Sequence, residues 1–310
     1  MIVIFDTNGY RKFVEDKELS QIKDEIESLR KLEQSKNITP YMCTTVAMEL
    51  LKHLMDKESS RSFKSCLKSV QAMYCHCANA ESYRLLPLPE VQIAKEYFDV
   101  ENHISIETQK SVGYILYQIS QSPSSETVNK YKDAIIKIID FIHVAEESLA
   151  KEIEGFIKSV DSSATSWDLY SNDPQKRKEY LAHIRSERFE RDTAVAMLYA
   201  VKYDLEKKGY VIKINDIENK IEAYRASYKA SLVFRKKWWE YIANGNFDIR
   251  KKSRANYLWD EYVLHFVNKT VGEEQILLVT TDMEMINAAK KIDQNTLIFT
   301  YEYYIEFLNS

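Results

Sequence analysis

Ile2-Val3-Ile4-Phe5-Asp6-Thr7-Asn8-Gly9 is the stretch on which the fold turns. Its first four residues are continuously apolar and rich in β-branched side chains. The run is too short for a buried helix and reads as a central parallel strand, covered on both faces. Asp6-Thr7-Asn8-Gly9 has the chemistry of a turn, which ends the strand and leaves Asp6 at its carboxyl end.

Outward from this strand, residues 15–34 mix charges with Leu and Ile at helical spacing, and residues 38–42 fit a second short strand. Thr44 or Thr45 suits the N-cap of a helix through Val46, Leu50, Leu51 and Leu54. The far end repeats the scheme. A helix over 256–267 leads to a buried strand at Ile276-Leu277-Leu278-Val279, closed by Thr280-Thr281-Asp282. A helix over 283–291, a strand at Leu297-Ile298-Phe299 and a last helix over 303–308 follow. Such alternation predicts an α/β fold, a parallel sheet flanked by helices and joined by right-handed crossovers.

The middle differs. Helical patterns run over 91–98, 111–120, 128–157, 175–208 and 217–243, with short strands read at 85–88 and 210–214. The expected organisation is a discontinuous α/β core, residues 1–60 and 250–310, interrupted by a large, mainly α-helical insertion over 61–249.

Composition narrows the function. The 310 residues include six glycines and five prolines, against roughly 22 and 15 at average usage. GxGxxG and GxxxxGK[ST] loops are absent, which excludes most nucleotide-cofactor enzymes. The net charge of −4 confines any polyanion-binding surface to a local patch. Cys43, Cys66, Cys75 and Cys77 make no disulfide framework. With no long apolar span and no leader signature at the start, the reading is a cytoplasmic protein without membrane contact.

Asp6 and Asp282 both follow apolar strands, and open parallel sheets bind ligands beyond the carboxyl ends of their strands. Glu49 sits inside a helix among Met48, Leu50 and Leu51, and Asp260 precedes Asp282 by 22 residues. Four carboxylates drawn together suit Mg²⁺ or Mn²⁺, which take oxygen ligands and keep several waters. Without a cation they repel one another and raise each other's pKa. Asp192, in Arg191-Asp192-Thr193-Ala194, is the alternative to Asp260, and Glu284 is an auxiliary candidate.

On Ile2–Asn8, Thr44–Leu50, Trp259–Leu264 and Ile276–Met285 the sequence resembles the PIN-domain nucleases. The resemblance covers the two ends of the chain and none of the middle. It implies a PIN-like, Rossmann-like sheet, with Asp6, Glu49, Asp260 and Asp282 holding Mg²⁺ or Mn²⁺. It also implies Asn8 and Thr280 as polar supporters, and hydrolysis of single-stranded RNA, with DNA as an alternative substrate. Hydrolysis by an external water leaves 5′-phosphate and 3′-hydroxyl ends. An inhibitor or antitoxin protein and a second copy of the chain are partners the resemblance allows.

One dense basic cluster stands out: Arg235-Lys236-Lys237-Trp238-Trp239 with Arg250-Lys251-Lys252-Ser253-Arg254. Cations interleaved with Trp238, Trp239 and Tyr241 suit a single strand, phosphates on the charges and bases on the rings. The alternative is a helix end whose tryptophans are core. Cys75-His76-Cys77 lacks a second ligand pair for zinc, and the scattered histidines form no nucleophile triad. A haloacid-dehalogenase-like phosphatase wants a carboxylate two residues after the first, where Asn8 stands. The non-enzymatic rival is a catalytically inactive PIN-like scaffold, or a module that binds protein or nucleic acid.

Overall fold

A computed structural model describes residues 1–78, 84–101, 103–164, 167, 169–170, 172–213, 215–245, 247–248 and 252–310. Its strands are β1 (Ile2–Phe5), β2 (Thr39–Pro40), β3 (Met42–Cys43), β4 (Leu85–Leu86), β5 (Thr270–Val271), β6 (Glu274–Thr280) and β7 (Ile298–Thr300). All of β1 is buried, as its unbroken apolar run requires. It pairs in parallel with β2 on one side and β6 on the other, with Ile4 beside Leu278 and Phe5 beside Val279. β7 adds in parallel beyond β6, and β5 folds back antiparallel onto the start of β6.

β2 and β3 are separated only by Tyr41, whose N–H donates to the Val3 carbonyl at 2.9 Å. β3 then pairs in parallel with β4. Taken as one bent strand, residues 39–43 give the parallel segments the spatial order third, second, first, fourth, fifth. Strand order therefore reverses at β1, between β2 and β6.

The helices are α1 (Thr7–Phe13), α2 (Ile22–Ser35), α3 (Thr44–His53), α4 (Arg61–Cys77), α5 (Pro89–Phe98), α6 (His103–Gln121), α7 (Ser125–Lys130) and α8 (Lys132–Val160). They continue as α9 (Pro174–Arg185), α10 (Glu187–Lys207), α11 (Ile217–Ser227), α12 (Lys229–Ala243), α13 (Lys252–Leu264), α14 (Met283–Lys290) and α15 (Tyr301–Asn309). α1 replaces the expected turn, because the Asp6 carboxylate accepts from the Gly9 N–H and caps a helix. α4 was not expected, yet Phe63, Cys66, Leu67, Val70, Met73 and Cys77 bury one face of it at helical spacing. The long patterns over 128–157, 175–208 and 217–243 each break, at Tyr131, Ser186 and Tyr228. Ser186 ends α9 and caps α10 by accepting from Phe189 N. No strand forms over 210–213, and residue 214 lies outside the described residues.

One hydrophobic core runs from β1 through α4, α6 and α8 to α12 and α15. The first helices of the insertion thus pack in the same body as the sheet. α5, α10 and α11 share a satellite core around Ile93, Tyr97, Leu198, Leu205 and Tyr224. Among the described residues, no helix is long and apolar enough to cross a membrane.

Beneath the sheet, His76 Nε2 faces the Glu33 carboxylate at 2.9 Å, and Tyr304 Oη donates to the same carboxylate at 2.7 Å. The network ties α2, α4 and α15 together. Burial alone would lower the pKa of His76, but the Glu33 charge outweighs it and raises it to about 10. A raised histidine pKa contributes stability that is complete below the unfolded value near 6.5 and is lost as pH rises toward 10. The melting temperature is expected to fall between pH 7 and pH 10, and to fall less steeply for His76→Gln. Parallel curves for the two proteins would remove the ion pair from the account.

Candidate active site

The carboxyl ends of β1 and β6 lie side by side, joined by the Asp6 N–H donating to the Val279 carbonyl at 3.0 Å. Each strand then delivers an acid. Asp6 follows β1 directly, and Asp282 follows β6 after Thr281 as the N-cap of α14. α3 contributes Glu49 and α13 contributes Asp260. The four line one cavity of about 260 Å³, walled also by Thr7, Asn8, Asn256, Tyr257 and Glu284.

Hydroxyls fix the acids in place. Thr280 Oγ1 donates to Asp6 Oδ2 at 2.5 Å and accepts from the Asp282 N–H at 2.9 Å, so one side chain sets both strand-end acids. Asp6 Oδ1 accepts from Gly9 N, and Thr7 Oγ1 donates to Glu49 Oε2 at 2.5 Å. Asp282 Oδ1 accepts from Glu284 N and Met285 N. Among the described residues Asp260 has no hydrogen-bond donor or ion-pair partner, and it lines the cavity with the other three acids.

The electrostatics record this crowding. Burial raises Asp6 from the usual carboxylate range to about 7, against hydrogen bonds from Thr280 and Gly9, and Glu49 and Asp282 push it further up. Asp260 is raised well above its ordinary value, first by burial and then by Glu49, Asp282 and Asp6. Such a site favours whatever brings positive charge.

Gly9 is the one glycine the site demands. A Cβ there would stand 2.9 Å from the Val279 carbonyl oxygen and 3.1 Å from Asp6 Oδ1. Gly9→Ala is expected to push α1 off β6 and cost about 1–3 kcal/mol, the usual range for overpacking. Urea unfolding would read it, and an unchanged midpoint would contradict the close approach.

Asp6, Glu49, Asp260, Asp282, Asn8 and Glu284 share the cavity wall, and Thr280 lies directly behind Asp6. Asp192 does not join them. It is half exposed on α10, beside Arg188 and His183. Glu284 is engaged by Tyr241 and Tyr257, which donate at 3.1 and 2.9 Å, and by Lys237 at 3.1 Å. Those hydrogen bonds overcome burial and hold its pKa below the ordinary value, which makes it a pillar of the wall. The carboxylates line the cavity without forming a cage: among the described residues no three His, Cys, Asp or Glu side chains converge at ligand spacing. All the acidic donors are oxygens, the set a hard divalent cation prefers.

The first half of the basic cluster is engaged inside the protein. Arg235 keeps only 11% of its side chain exposed and pairs with Glu261 at 2.8 Å, because a charge carried toward this core needs a partner. Lys236 pairs with buried Glu190 and also donates to the Arg185 carbonyl. Lys237 is spent on Glu284. Trp238 is fully buried and donates to Glu261, so no base can stack on it. Arg254 lies over the Phe247 ring at 5.1 Å. Arg250, Lys251 and the Lys252 side chain lie outside the described residues.

Sequence reasoning missed the roles of Thr7 and Tyr257, and it read Tyr241 as a stacking ring where its hydroxyl holds Glu284, since a hydroxyl's partner is set by tertiary approach and leaves no periodic trace. It also missed a basic groove that opens beside Asn8. Comparison with known protein families, curated protein sequences and solved structures finds no match for this chain.

Proposed function

We propose that this protein is a metal-dependent nuclease of the PIN-like type, hydrolysing phosphodiester bonds in single-stranded RNA. The observation that carries the reading is the meeting of four carboxylates from four separate elements in one cavity, at the point where strand order reverses. The parallel sheet and the placing of the four acids around one cavity support the resemblance in Ile2–Asn8, Thr44–Leu50, Trp259–Leu264 and Ile276–Met285.

Asp6, Glu49, Asp260 and Asp282 would hold Mg²⁺ or Mn²⁺. When bound, the ion supplies charge neutralisation at the scissile phosphate and acidifies a water. The chain's own residues do the rest. Thr280 and Gly9 orient Asp6, and Thr7 orients Glu49. Asp260, with no protein donor among the described residues, lines the cavity, and Asn8 stands at the rim as a neutral donor.

End-labelled single-stranded RNA incubated with the protein and Mn²⁺ is expected to yield fragments with 5′-phosphate and 3′-hydroxyl ends, and none in EDTA. Calorimetry adds an independent readout: Asp260→Asn is expected to weaken Mn²⁺ binding by about tenfold or more. A protein that binds no Mn²⁺ and cuts no RNA or DNA is the scaffold instead.

A further inference from the structure

We propose that the groove between α1 and α4 is the track that binds the phosphate backbone of a single-stranded polynucleotide and leads it to the acids. Its direction toward the acids and its preference for a single strand rest on the nuclease reading; its binding of a phosphate backbone does not. The groove holds about 840 Å³ and shares Asn8 with the acidic cavity. Thr281 and Met283, on either side of Asp282, form its inner end.

Charge and spacing argue the ligand. Lys64 and Lys68 stand three and seven positions beyond Arg61 along α4, so the three share one helix face. Arg11 and Lys12 of α1 line the same groove. Five cations meet two acids, Glu15 and Glu302, a local excess of 5 − 2 = +3 in a chain whose net charge is −4. Lys68 is anchored on the Val14 and Lys17 carbonyls, and Arg11 on Cys66. Arg61 has its side chain 90% exposed, touching only Glu15 among the described residues. Lys64 is exposed, with no ion pair among the described residues. Two outward cations on a rigid helix, backed by fixed ones, suit a row of phosphates.

Serines at 59, 62 and 65 line the groove between the charges, and no aromatic ring among the described residues does, so it offers contacts to phosphate and sugar but no platform for bases. Recognition is therefore independent of base sequence. A single strand fits where a duplex does not, because the scissile phosphate must enter a cavity of about 260 Å³ between α3, α13 and α14.

The test is fluorescence anisotropy with a fluorescein-labelled single-stranded RNA 12-mer in EDTA, where cleavage plays no part. The wild type is expected to bind in a salt-dependent way, and Arg61→Glu/Lys64→Glu to bind at least tenfold more weakly. The slope of log K against log salt is expected to shrink by about 0.7 for each phosphate the variant no longer neutralises. Lys31→Glu/Lys110→Glu reverses two exposed cations elsewhere and is expected to bind like the wild type. The groove is overturned if the wild type does not bind, if both double variants bind alike, or if the duplex binds as tightly as the strand. Binding lost only in the groove variant, with no cleavage in Mn²⁺, would leave the groove standing and remove the nuclease reading. Cleavage with undiminished binding by the groove variant would do the reverse.

Discussion

Asp6→Asn is expected to lower Mn²⁺-dependent RNA cleavage by on the order of 10³-fold, the scale at which a preorganised electrostatic group acts on charged chemistry. Asn retains an oxygen for the Gly9 N–H, and its amide can donate to the Thr280 hydroxyl, so the cap of α1 and the strand end survive. What disappears is the negative charge. That distinction can be read in stability. Asp6 is 5% exposed, and its pKa rises from 3.8 unfolded to about 7 folded. Between those values the folded state keeps a proton the unfolded state has lost, so the metal-free wild type loses stability as pH rises from 4 toward 7. The variant lacks this penalty. In EDTA at pH 8 it should melt no lower than the wild type, while at pH 4 the two should lie close together. A variant that cleaves at wild-type rate removes Asp6 from the chemistry, and one that melts far lower makes its role structural.

The second large effect concerns Arg235. Arg235→Leu is expected to destabilise the fold by about 3–5 kcal/mol, because it strands a buried carboxylate. Glu261 is 1% exposed and receives the guanidinium together with Trp238 Nε1 and Ser231 Oγ, so α12 and α13 close on one anion. Urea unfolding gives the number. Arg235→Leu/Glu261→Leu should recover most of it, since a buried pair replaced by apolar side chains is often neutral. If instead Arg235→Leu leaves the urea midpoint unchanged and weakens RNA binding, Arg235 is a nucleic-acid contact after all.

The contrast between these residues shows what the sequence could tell. Ile2–Phe5 and Ile276–Val279 are legible because a strand buried on both faces has no polar member, and the acid just beyond each stands out against it, whether it caps the next helix or serves a site. Glu49 was legible as a charge among buried neighbours. Arg235 looked the same as Arg61 on paper. Both are cations on helices, and only the approach of Glu261 from a different helix decides that one is core and the other surface. The helices over 174–207 read as one because their apolar period runs on through Ser186, whose capping role depends on the backbone turning there. α4 was legible and overlooked: its apolar stripe is regular, but serines and cysteines dilute it. The groove's Arg61, Lys64 and Lys68 carry the same helical period, visible once the helix is granted.

Thr280 and Asp6 touch across 274 positions of sequence. During synthesis, β1 cannot complete its pairing until β6 has been made. The cavity cannot assemble before then, because Asp282 and the hydroxyl that sets Asp6 come with that late segment. Non-local pairing of this kind also slows folding. The four acids therefore come together only after the segment that carries Asp282 has joined the sheet.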